Sequence, residues 1–144
     1  MTEYTELELV QKFMPPFGKT LGLEVVEASK EKIVAHLPVR EELCTYPNIL
    51  HGGAIMGLAD NLGAMATVLN LPKGGTTTTI ESKTNFTAAI PMGKVAVATC
   101  TPIHRGRTTQ VWQTRVTRGG DGKLSAVVTQ TQFVREAKAS ETVS

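Results

Sequence analysis

Cysteine, aromatic residues and charge are all scarce in this sequence. The two cysteines, Cys44 and Cys100, lie far apart and form no CxxC pair. They do not make the disulfide framework of a small secreted domain, and they read as reduced thiols of a cytoplasmic protein. The three histidines (His36, His51, His104) are scattered, with no HExxH or similar spacing, so no metal site or cofactor is expected. No apolar run reaches the ~18 residues of a membrane span. The N-terminal MTEYTELELV carries acidic residues where an export signal needs basic ones. Neither a membrane partner nor export is therefore expected. A net charge of +2 is too mild to imply a nucleic-acid partner. With 41% hydrophobic and 19% charged residues, the chain is too apolar to stay disordered. What is present is 144 residues, the size of a single domain of ~100–200 residues, enough to bury an ordinary core unaided.

The order of elements follows from periodicity. Residues 1–16 carry a helical stripe of Leu7, Val10, Phe13 and Met14, stopped by Pro15-Pro16. LGLEVVEAS and KIVAHLPV, around a turn at residues 29–31, read as a hairpin of two strands, and residues 40–50 as a loop. A long apolar helix is expected from about Gly53 to Asn70, ended by Pro72-Lys73-Gly74-Gly75. Four β-rich segments follow, punctuated by Pro91-Met92-Gly93, Arg105-Gly106-Arg107 and Gly119-Gly120-Asp121-Gly122. The tail from 135 to 144 is polar and expected to fray. Connections of mostly hairpin length imply an antiparallel sheet with the helix on one face, an α+β class.

The central helix, GAIMGLADNLGAMATVL, is apolar or small on nearly every side and should be buried on most faces. Asp60 in its middle is therefore anomalous, since an unpaired buried charge is costly. Its neighbours on the same stripe are Gly53, Met56, Gly57, Ala64 and Thr67. Gly57 and Gly63 inside a helix suggest close backbone approach. A carboxylate among small residues leaves room for a ligand; the alternative is a structural Asp paired with an Arg or a backbone group. At the helix start, His51-Gly52-Gly53 presents free amides at the positive end of the dipole, suited to a developing oxyanion. The bland alternative is a tight loop-to-helix turn. The nine residues from His51 to Asp60 span roughly 13 Å along the axis. One helix cannot present both ends to one carbonyl, whereas two antiparallel copies can, which favours a symmetric dimer with shared sites.

Residues 50–66, LHGGAIMGLADNLGAMA, together with SKTNF, HRGRTTQVWQTRV and the closing strand, resemble the hotdog-fold acyl-CoA thioesterases of the PaaI-like (phenylacetate-pathway-type) branch, over about residues 17–134. The resemblance implies a curved antiparallel β-sheet wrapped around the long central α-helix. It also implies dimers paired edge to edge, commonly assembled into homotetramers, with sites at the dimer interface and acyl-CoA as substrate. By position, Asp60 matches the catalytic carboxylate, Gly52 the residue whose amide polarises the thioester carbonyl, and His51 the histidine that arranges it, with Gly53 beside them. The Asn or Gln that relatives place near the attacking water falls at Thr45 here, with Asn48 three residues on. Ala64 stands where some relatives carry a hydroxyl; others use one at the start of the next strand, here about Thr79 within Thr76–Thr79. His104, Arg105, Gly106 and Arg107 fall where the nucleotide end of CoA is contacted, or form a solvated basic turn; Lys73 and Lys83 are weaker candidates. Trp112 reads as sheet packing. Phe13, Phe17, Met56 and Met65 read as core or as acyl-pocket lining. A dehydratase of the same fold and a non-catalytic acyl-CoA-binding module are the alternative functions.

Overall fold

The computed structural model describes residues 3–138; the expected frayed tail falls, beyond residue 138, outside the described residues. Helix α1 (Glu6–Lys12) opens on a capping box. The Thr5 hydroxyl accepts from the Glu8 amide, and the Glu8 carboxylate accepts from the Thr5 amide. The expected helix over residues 1–16 is in fact two. Pro15-Pro16 does stop α1, but Pro16 also starts a second helix, α2 (Pro16–Leu21). Proline is well suited to a first helical position, where its missing N–H has no helical partner to lose.

Strands β1 (Glu24–Ala28) and β2 (Ile33–Pro38) form the expected hairpin. The segment expected to be a loop contains a short hairpin, β3 (Cys44–Thr45) and β4 (Ile49–Leu50), whose turn includes a cis Tyr46–Pro47 bond and Asn48 at φ 64°. Helix α3 (Gly52–Leu69) follows, then β5 (Thr76–Phe86), β6 (Val95–Arg105), β7 (Thr109–Arg118) and β8 (Leu124–Arg135). The large sheet runs β1-β2-β6-β7-β8-β5, every neighbouring pair antiparallel. Three connections are hairpins. The exception is β5, which pairs with β8 rather than with the strand that follows it, and so forms an edge of the sheet.

The sheet wraps α3, which touches β2, β5, β6, β7 and β8. Inward-facing Ile33, Ala35, Leu37, Ala96, Ala98, Trp112, Val116 and Ala126 have no solvent exposure, and they meet Leu58, Leu62 and Ala66 of the helix. Trp112 is thus packing, its indole N–H donating to Gln110 Oε1 at 3.1 Å. Cys100 lies in the same layer, and burial pushes its thiol up to about 11. By length and composition alone α3 could cross a membrane, but over half of it is covered by the rest of the chain. Its open face runs through Gly53, Met56, Asp60, Ala64 and Val68, at helical spacing.

Candidate active site

Two features of α3 carry reactive chemistry. At its start, His51 is the N-cap residue, and its Nδ1 accepts from the Gly53 amide at 2.8 Å. Nδ1 must therefore carry a lone pair, which places the ring proton of the neutral imidazole on Nε2. The His51 carbonyl takes the Ala54 and Ile55 amides. The Gly52 amide is left over: it makes no hydrogen bond among the described residues. It is a free donor at the positive end of an 18-residue helix. Of the two glycines expected to offer amides, only Gly52 does so. Gly52 shares a cavity of about 370 Å³ with Thr45, Ile55 and Phe86. Asn48 does not line it; it sits in the β3–β4 turn, where a positive φ suits asparagine.

The second feature is Asp60. The expectation of burial is corrected: in the single chain Asp60 is exposed, because its stripe of α3 lies on the open side, beside the edge strand β5. Its oxygens are nevertheless treated differently. Oδ1 accepts from the Thr79 hydroxyl at 2.7 Å and from Gln130 Nε2 at 3.3 Å, whereas Oδ2 has no partner among the described residues. Thr79 Oγ1 in turn accepts from Gln132 Nε2 at 2.6 Å. Of the four threonines at 76–79, Thr79 is the one brought against Asp60. A bulge between Thr79 and Glu81 lies beside it, the kind of irregularity that re-aims a strand side chain.

The sequence reading did not single out Gln130 and Gln132. The signal was available in the alternation of β8, where Ala126, Val128, Gln130, Gln132 and Val134 all face inward. Two amides interrupt an otherwise apolar row. Gly63 explains how Gln130 fits: a Cβ there would lie 1.6 Å from Gln130 Oε1. Gly57 likewise clears space for the Phe17 ring, 2.8 Å from where its Cβ would be. Both interior glycines are thus sites of close approach, but by side chains rather than by the backbone expected.

The basic turn divides. Arg105 Nη1 donates to the Lys30 carbonyl at 3.1 Å and lies 3.4 Å from both Glu31 Oε1 and Asn70 Oδ1, tying the β1–β2 turn to the end of α3. Arg107 is far more open, with Glu136 at 3.9 Å. His104 packs under Gly106. Phe13 and Met65 line an apolar cavity of about 240 Å³ with Ala64 and Val68, between α1 and α3. Phe17 and Met56 stay exposed on the open side.

Residues 47–125, which hold His51, Gly52, Asp60 and Thr79, match the family model described as "Thioesterase superfamily". The chain belongs to the thioesterase superfamily. Its fold is the hotdog fold, an α+β architecture, and the family is one of hydrolases. The Haemophilus influenzae thioesterase HI1161 superimposes with a TM-score of 0.83 at 29% identity, over 94% of this chain and 93% of that one. A Listeria monocytogenes 1,4-dihydroxy-2-naphthoyl-CoA hydrolase is 31% identical over 99 residues, 69% of this chain and 80% of that protein. The Escherichia coli PaaI protein of the phenylacetic acid degradation operon shares the fold, with a TM-score of 0.81 at 18% identity over 92% of this chain and 94% of that one.

Proposed function

We propose that this thioesterase hydrolyses an acyl-CoA to the free acid and CoA at a site shared between two copies of the chain. The observation that carries the reading is the pairing of a free Gly52 amide at the start of α3 with a carboxylate on the same helix that has one oxygen held and one open. The Gly52 amide stabilises the carbonyl oxygen as it gains charge. Asp60 Oδ2 either takes a proton from the attacking water or attacks the carbonyl carbon itself. In both routes the C–S bond breaks, and sulfur leaves with the electron pair. A thiol of pKa about 8.5 departs readily, so a strong general acid is unnecessary. His51 supports the site by capping α3 through Nδ1.

The eight-residue step from Gly52 to Asp60 spans about 12 Å along one helix, so the Gly52 end of one copy serves the Asp60 of the other. The outer edge of β5 and the apolar side chains exposed around it, Met56, Ile80 and Phe86, suit edge-to-edge pairing of two sheets. Dimers of this kind would then pair into tetramers. The cavity lined by Phe13, Met65 and Ala64 suits an apolar acyl group.

A panel of acyl-CoAs assayed for free-thiol release tests the reading: at least one is cleaved, and cleavage of none overturns it. The basic turn gives a separate expectation. Arg107→Ala raises KM several-fold with melting unchanged, since Arg107 is the open cation for the CoA phosphates. Arg105→Ala instead destabilises the fold by about 1 kcal/mol, the worth of its tie to the Lys30 carbonyl. Kinetics and thermal melts on the two variants separate these roles; an unchanged KM in Arg107→Ala removes that residue from CoA binding.

A further inference from the structure

Gln130 and Gln132 are 1% and 0% exposed, on the sheet face that packs against α3, where Gln110 and Thr114 of β7 are also buried. Gln130 Oε1 is buried with no donor among the described residues, an arrangement that costs stability. Their inward neighbours along β8, Ala126, Val128 and Val134, are apolar. What both amides do instead is donate toward one point. Gln130 Nε2 donates to Asp60 Oδ1 directly, and Gln132 Nε2 donates to the hydroxyl that donates to Asp60 Oδ1.

The order of donors fixes the direction of the chain. Asp60 Oδ1 is a carboxylate oxygen and accepts, so Thr79, 2.7 Å away, is the donor between the two. Thr79 has one hydroxyl hydrogen. With that hydrogen directed at Asp60, Thr79 Oγ1 accepts from Gln132, which turns Nε2 toward Thr79 and leaves Oε1 2.9 Å from Thr77 Oγ1, a hydroxyl that also has the Phe133 carbonyl at 2.9 Å. The Gln130 amide is fixed in the same way. Turned over, it would set its oxygen against the Ala59 carbonyl and the Asp60 carboxylate, which now lie 3.5 and 3.3 Å from its Nε2. Both donors therefore fall on Oδ1, and neither falls on Oδ2.

Building on the thioesterase reading, we propose that Gln130 and Gln132 are positioning residues that hold Asp60 by Oδ1, Gln132 through Thr79, so that Oδ2 is the oxygen presented to the substrate. Neither glutamine touches the reacting atoms. Gln130 restrains the torsion of the carboxylate directly, and Gln132, by donating to the Thr79 oxygen, keeps the Thr79 hydrogen directed at Asp60. An oxygen that carries two donors is a poorer base and nucleophile than its bare partner, so the division of labour between the two oxygens is chemical as well as geometric.

A double-mutant cycle on thiol release, with thermal melts, tests this. Gln132→Met lowers kcat by about tenfold, the effect of one positioning hydrogen bond, with KM within about twofold of wild type. Combined with Thr79→Val, it lowers kcat no further, because its action runs through that hydroxyl. A second tenfold loss in the double variant, or a loss seen in KM instead of kcat, overturns the proposal. If Gln132→Met does not fold, Gln130→Met carries the test. It lowers kcat by about tenfold while melting no lower than wild type, since a buried acceptor without a donor is removed. An unchanged kcat there overturns the proposal. Asp60→Asn in the same series keeps the two readings apart. Full activity in that variant overturns the thioesterase mechanism itself, whereas Asp60-dependent activity with an additive cycle overturns only the positioning.

Discussion

Asp60→Asn lowers kcat/KM for acyl-CoA hydrolysis by about 10²-fold or more, with the fold intact. The amide keeps the size of the carboxylate and an oxygen that still accepts from Thr79 and Gln130. It loses the second oxygen as base or nucleophile, which accounts for ~10²–10⁴-fold when a positioned proton acceptor is removed. Stability should change little, because Asp60 is exposed in the chain and forms no ion pair among the described residues. Thiol release and a thermal melt on the same preparation check both halves. A variant with wild-type kcat/KM removes Asp60 from the chemistry.

Gly52→Pro removes a single N–H, the one left free at the start of α3. It is expected to lower kcat by about 10²–10³-fold, as loss of one oxyanion donor does. The substitution is otherwise well suited to its place. Gly52 is the first helical residue, where proline's fixed φ fits. His51 is already extended, at φ −64° and ψ 137°, as a residue before proline must be. The cap from His51 Nδ1 to the Gly53 amide is untouched. A Cβ at residue 52 would lie 3.1 Å from the Phe86 ring, which is exposed and free to shift. Gly52→Ala is the control: it adds the same Cβ but keeps the N–H, and should retain most of the activity. Equal losses in the two variants would assign the effect to crowding against Phe86 rather than to the amide.

Much of this site was legible in the sequence because helical chemistry is local. HGG before an apolar run marks a helix start, and a carboxylate within that run stands out by composition alone. That something packs closely at Gly57 and Gly63 was also readable, since glycine inside a helix needs a reason, but not that side chains rather than backbone do so. The exposure of Asp60 was not. An apolar sequence on all sides of α3 does not say which side the sheet leaves open, and an apolar open face looks like core. The pairing of β5 with β8 lay equally beyond a local reading, because it joins segments about fifty residues apart. Gln130 and Gln132 were missed for that reason. Their register against Thr79, and hence their aim at Asp60, exists only once the sheet order is known. The segment around Pro16 shows the opposite case, where one residue type both ends a helix and begins the next.

The central claim is that one site draws Gly52 from one chain and Asp60 from another. The most direct measurement co-expresses Asp60→Asn and Gly52→Pro chains carrying different tags and isolates the hybrid. Each variant alone is nearly inactive. In the hybrid dimer, one site carries both lesions and the other carries neither. The account predicts about half of wild-type activity per hybrid dimer. A hybrid no more active than the two parent variants would contradict it, and would place each complete site within a single chain.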